Sequence, residues 1–230
     1  MRRFFSYDNS ILRKLGKVGD VIYLSAFWTL FSIPVFTMGA STTALYYAIN
    51  KALRHNRGYS WGEFMKSFKT NFKQSTRIWL VVMGIYLFSL LDCFLVRRIF
   101  PSFAFADVLF AFFVALMILV TMWVTCLFPY IARFENTSKA IMKNCALIAI
   151  THFPRMLLLL FLLLISIILF FIVPLAMLFV PGIYMFLANR ILEPVFCKYM
   201  TPEDLKAEEE RNSEYIEDHF GEKTQKEDRV

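Results

Sequence analysis

The chain contains uncharged stretches that are too long to be single membrane-crossing helices. Residues 21–50 and 156–189 hold no Asp, Glu, Lys or Arg, and residues 108–132 form a third such run. As one helix, residues 21–50 would extend ~45 Å against a hydrocarbon core of ~30 Å. Each run carries proline: Pro34 with Gly39 after it, Pro129, and Pro174 with Pro181. A proline inside a helix removes a hydrogen bond and clashes with the preceding turn, so the runs are expected to break there. These four prolines are hinge candidates, since each frees a carbonyl that neighbours or water must satisfy. Kinks that serve packing alone account for them equally well. The expected fold class is an all-α polytopic membrane protein with five to six proline-broken membrane segments and interfacial amphipathic helices. With 58% hydrophobic residues, 26 Phe and a mean hydropathy of +0.53, the chain lies above the ~45–50% apolar content of soluble domains.

Charge gives the orientation. Residues 201–230 hold 11 acidic and 5 basic side chains, while the rest of the chain carries a net +13. The division expected is an integral membrane domain over residues 1–200 and a charged acidic cytoplasmic tail over 201–230. The basic residues flank the apolar runs, so anionic lipid rather than nucleic acid is the expected counter-charge. Residues 1–20 carry +3, and Ile11, Leu15, Val18 and Ile22 recur at helical spacing along the N-terminal stretch, as in a short interfacial helix. Residues 50–77 carry +6, the segment from Arg133 to Arg155 carries +3, and the turn around Pro101 only +1. The simplest topology is three hairpins with both termini and both basic loops in the cytoplasm. Five crossings with an external N-terminus is the competing arrangement.

Residues 60–77, SWGEFMKSFKTNFKQSTR, combine two helical faces. Trp61, Phe64, Phe68 and Phe72 recur at three- and four-residue spacing, and Lys66, Lys69, Lys73 and Arg77 do so on another face. Ser60 with Glu63 is a capping-box start. The pattern is that of a helix lying on an anionic membrane surface before feeding the span at residues 78–96. A juxtamembrane anchor is one reading and a docking surface for a partner is the other.

Other polar candidates are few. Asp92 lies inside an apolar run, where an acid marks a functional site by default. It is also four residues from the span's end, within reach of headgroups or of Arg97 and Arg98. Arg133, Glu135 and Asn136 cluster beside Pro129 and suit a substrate vestibule. Equally, Arg133 snorkels, Glu135 neutralises it and Asn136 caps the next helix. Thr201-Pro202-Glu203-Asp204 reads as a helix start with proline in first position. Cys93, Cys126, Cys145 and Cys197 are isolated fillers without metal-site spacing. His55, His152 and His219 are far apart, and neither HExxH, a Walker lysine nor a Rossmann glycine pattern occurs. No cofactor, metal or catalytic residue is expected.

Three stretches in order, SIPVFTMGASTTALYYAINK, GYSWGEFMKSFKTNFKQST and LFPYIARFENTSKAIMKNCAL, resemble the YesL-like family of bacterial membrane proteins, a domain of unknown function. The resemblance covers roughly residues 5–200 and leaves out the acidic tail. It implies a bacterial plasma-membrane protein encoded beside carbohydrate-uptake systems, with a sugar-uptake permease or a sensor kinase as partner. It supplies no catalytic residues. The function expected is a non-catalytic accessory or assembly partner of a membrane system. A small transporter or channel using Asp92 and the broken helices is the alternative, and a membrane enzyme comes third.

Overall fold

The computed structural model describes residues 10–54, 60–99 and 104–216. Its α-helices are α1 (Ser10–Ser32), α2 (Met38–Ile49), α3 (Ser60–Ile99), α4 (Ala104–Arg133), α5 (Ser138–Thr151), α6 (Phe153–Ile172), α7 (Val180–Phe196) and α8 (Pro202–Ile216). There is no strand among the described residues. The N-terminal nine residues, residues 55–59 with Arg57, the turn at 100–103 with Pro101, and the tail beyond 216 lie outside the described residues, as do His55 and His219.

The expected breaks at Pro34 and Pro174 are present. α1 stops two residues before Pro34, and a 3-10 turn at Val35–Thr37 leads into α2. Freed carbonyls are satisfied inside the protein: Thr37 Oγ1 donates to Phe31 O at 2.5 Å and to Pro34 O at 2.6 Å, and Trp79 Nε1 donates to Val35 O at 2.7 Å. α6 stops at Ile172, and the 3-10 turn Pro174–Leu178 leads to α7. Here Thr29 Oγ1 of α1 donates to Met177 O at 3.2 Å. At both breaks, side chains of the protein pair carbonyls of the irregular backbone.

Two other prolines behave differently from expectation. Pro181 lies in the first turn of α7, where a missing N–H is harmless. Pro129 does not interrupt α4, which continues to Arg133. It is buried four residues from the helix end, so one lost backbone bond is tolerated within close packing. Gly39 does not interrupt either. It is a contact glycine: a Cβ there would meet Trp79 Cβ at 2.7 Å and Phe128 Cε1 at 2.8 Å, so α2 approaches α3 and α4 closely. Gly182 plays the same part between α7 and α1, where its N–H donates to Ser25 Oγ at 2.9 Å.

α2 is the centre of the bundle. At 12 residues it spans ~18 Å, short of the hydrocarbon core, and α1, α3, α4 and α7 pack around it. Ala40, Ala44, Leu45, Tyr46 and Ala48 are fully buried. α3, α4 and α6 are the helices long and apolar enough to cross a membrane, with only 17, 17 and 11% of their most apolar stretches buried by protein. Exposed Leu87, Phe94, Phe112, Phe161 and Phe171 cover those faces, which suits a bilayer and not water.

α3 corrects one expectation. It is one unbroken helix of 40 residues, ~60 Å long, so its basic half continues the axis of its apolar half. It therefore does not fold flat against the surface before crossing. The interval from Arg77 to Arg97 is ~30 Å, one hydrocarbon thickness. Similarly, the short N-terminal interfacial helix is the first part of α1 and not a separate piece. The Ser60 hydroxyl, expected to cap α3, donates to Asp20 of α1 at 2.5 Å.

Candidate functional site

The C-terminal ends of α2, α4 and α7 converge, and α8 folds across them. Four charged side chains meet there. Arg133, in the last turn of α4, forms a two-pronged pair with Glu208 of α8: Nη1 to Oε1 at 2.6 Å and Nη2 to Oε2 at 2.8 Å. Arg133 Nε lies 3.0 Å from Glu193 Oε1 of α7, an ion pair without an aligned hydrogen bond. Lys51 Nζ, just after α2, donates to Glu208 Oε1 at 2.9 Å and to Asn212 Oδ1 at 3.3 Å. Glu193 Oε1 also accepts from Tyr46 Oη at 2.9 Å and Asn50 Nδ2 at 2.6 Å.

Among the described residues the charges of this set balance. Two cations and two anions cancel, and the side chains are 8% (Arg133), 2% (Glu193), 10% (Glu208) and 10% (Lys51) exposed. Charges so removed from water are tolerable only when paired with good geometry, which the guanidinium fork supplies. Helix C-termini carry partial negative charge, a further reason for Arg133 and Lys51 to sit where they do. Burial alone would raise the Glu208 carboxyl. Hydrogen bonds and charge from Arg133 and Lys51 more than offset this and hold it well below the usual carboxylate range. Tyr130, Phe134 and Phe196 surround the unit with rings 4.4–5.9 Å apart. Its chemistry is that of a latch fastening α8 to the bundle.

The polar cluster read beside Pro129 is thereby taken apart. Arg133 neither snorkels nor pairs with Glu135; it turns inward to Glu193 and Glu208. Glu135 is exposed. Asn136 does not cap α5: Thr137 does, its Oγ1 accepting from Ala140 N at 3.4 Å. Asn136 donates instead to Tyr130 Oη at 3.2 Å, and its carbonyl accepts from Gln74 of α3 at 2.6 Å.

The opening face of α3 is divided. Trp61, Phe64 and Phe68 face α1, with ring centroids of Phe27–Trp61 at 4.3 Å, Phe31–Phe64 at 5.8 Å and Phe31–Phe68 at 5.0 Å. Phe72 continues the ladder 5.4 Å from Phe68. Phe64 is fully buried and so touches neither lipid nor a partner. Lys66, Lys69, Lys73 and Arg77 are exposed, and none pairs with an acid among the described residues. The ladder fixes the helix's rotation and leaves a stripe of four cations outward.

Asp92 is half-buried on the outer part of α3, and its Oδ2 is buried without a hydrogen-bond partner among the described residues. The expected contact with Arg97 is not made; that guanidinium lies 4.2 Å over the Phe110 ring. A cavity of about 380 Å³ opens between α2, α4, α6 and α7, and Pro129 and Pro181 line it while Asp92 does not. Cavity and latch occupy successive stretches of the same helices.

Glu193, Glu208, Lys51, Tyr46 and Asn50 were not singled out from sequence. Glu193 had a signal: it is the lone acid between Glu135 and Glu203, set in an apolar helix, and deserved the same default as Asp92. Glu208 and Lys51 sit in charge-rich segments where nothing local marks them.

No curated protein and no solved structure matches this chain. Residues 21–93, just under a third of the chain, match a family described as "Protein of unknown function, DUF624". That stretch holds α2, most of α1 and the greater part of α3, and with them the buried central helix, the Pro34 break and the cationic stripe.

Proposed function

We propose that this protein is a multi-pass protein of a bacterial plasma membrane that acts as a non-catalytic accessory or assembly partner of another membrane system. The observation that carries the reading is the cationic stripe of α3. Four cations exposed on one face and lacking acidic partners, on a helix whose rotation an aromatic ladder holds, form a preorganised surface for anionic headgroups or an acidic partner segment. The latch supports the orientation proposed. Lys51, Arg133 and α8 meet at one end, and Asp20 of α1 meets Ser60 at the start of α3. By the positive-inside rule that end is cytoplasmic. The partner proposed is a sugar-uptake permease or its sensor kinase, a setting that rests on the YesL-like resemblance alone.

The test is co-purification from native membranes in lipid discs. Replacing Lys66, Lys69 and Lys73 together with Gln should leave stability within about 0.5 kcal/mol, as exposed substitutions do, and release the partner. Undiminished co-purification would remove the stripe from the mechanism. A small-solute transporter is the second reading, favoured by the two helix breaks and by the Asp92 carboxyl oxygen buried without a hydrogen-bond partner among the described residues. In that case Asp92→Asn should abolish flux in proteoliposomes without loss of expression, and unaltered flux would count against it.

A further inference from the structure

We infer that the cavity between α2, α4, α6 and α7 is a binding site for one acyl chain of a bilayer lipid, with the Tyr184 hydroxyl bonding the chain's ester carbonyl. Three observations converge on this. The first is the chemistry of the wall. Its volume of about 380 Å³ lies in the range of ligand sites, ~300–1,000 Å³, and its lining is apolar almost throughout. Apart from the Tyr184 hydroxyl, the polar groups on it are bonded within the protein: Trp28 Nε1 donates to Thr42 Oγ1 at 3.1 Å, Ser166 Oγ to Leu162 O at 2.8 Å, and Thr125 Oγ1 to Met122 O at 2.7 Å. A sugar or other polar solute would leave its hydroxyls unpaired there.

The second observation is Tyr184. It lines the cavity and is only 8% exposed, and its hydroxyl forms no hydrogen bond with any described residue. Buried tyrosine hydroxyls ordinarily find a partner. One oxygen on an otherwise apolar ligand is what this wall asks for. The third is access. Ile167 and Phe171 line the cavity and are also 44% and 79% exposed on the outward apolar face of α6. The cavity is therefore continuous with the surface that faces lipid, and its ligand enters from the bilayer.

The test uses the full chain in phosphatidylglycerol vesicles containing a trace of phosphatidylglycerol with a photoactivatable diazirine in one acyl chain. After irradiation, labelled residues are mapped by peptide mass spectrometry. Labelling at Met185, which lines the cavity and is 6% exposed, is the expected result, falling as the fraction of unlabelled lipid rises. Tyr184→Phe keeps the ring and should lower that labelling about two- to tenfold, the worth of one hydrogen bond. Ser166→Phe fills the cavity and should abolish it, while Phe161 on the outer face stays labelled in both variants. Label confined to outward residues such as Phe161 and Ile168 would overturn the site. Unchanged labelling at Met185 in a folded Tyr184→Phe protein would overturn the hydroxyl's role. Labelling of Met185 by diazirine-bearing palmitic acid but not by the lipid probe would overturn the lipid as source.

Discussion

The cavity and the latch lie a turn or so apart on shared helices, and they solve burial in opposite ways. On α2 the cavity takes Leu45 and the latch takes Tyr46 and Asn50. On α4 Pro129 gives way to Arg133, and on α7 Met185 gives way to Glu193. The cavity sits where the helices run on through apolar surroundings, so it offers one lone hydroxyl. The latch sits where the helices end and a further helix, α8, can deliver counter-charge. The difference shows what makes buried charge tolerable here. Each ion has at least one partner from a different helix, and among the described residues the four charges sum to zero.

The sharpest way to break the comparison is to remove the cation at its centre. Arg133→Met leaves Glu193 and Glu208 buried without that partner and should destabilise the protein by about 3–5 kcal/mol, seen as a lowered midpoint in detergent unfolding. If the midpoint hardly moves, the latch does not hold this end of the bundle together. A milder cut is Glu208→Gln, which weakens charge-assisted bonds worth about 1.5–3 kcal/mol. It should free α8 to proteolysis while the rest of the bundle stays resistant.

The same carboxylate makes α8 a probe of pH. Its folded value is depressed, so its contribution is complete above the unfolded range of ~4.3 and drains away as pH falls through the folded value. Protection of α8 should persist at pH 5 and fail only in strong acid, which pepsin digestion across that range can follow; release already at pH 5 would contradict the pairing. On the cavity side the gentlest test is Gly39→Ala. Its added methyl group meets Trp79 and Phe128, at a cost of about 1–3 kcal/mol. The same change at Gly84, which has nothing within 4 Å, should be close to neutral.

What could be read ahead of the structure follows from the range of the forces involved. Local rules placed the helix breaks at Pro34 and Pro174 and the cap of α8, where Thr201 Oγ1 accepts from Asp204 N at 3.2 Å. Local rules failed where a partner lay far along the chain. The aromatic ladder of residues 61–72 has the spacing of a membrane-surface face, and nothing nearby shows that Phe27 and Phe31 of α1 cover it. Pro129 has the look of a break, but packing around a buried ring overrode it. Arg133 and Glu135 are neighbours in sequence with opposite charge, yet the arginine's partners stand 60 and 75 positions away. Asp92 stands out as an acid among apolar residues, whereas Glu193 lies three residues from Arg190, where an acid has the look of a charged flank.

The unbroken α3 has a mechanical meaning. A helix without a joint cannot change its angle at one end alone, so whatever tilts the length between Arg77 and Arg97 swings the length before it. Membrane helices span ~0–40° of tilt. For a segment of ~25 Å below Arg77, a change of ~10° within that range carries the tip ~4 Å sideways. A tilt of the apolar length is thereby converted into a sideways movement of the three lysines, and the unbroken α3 behaves as a lever.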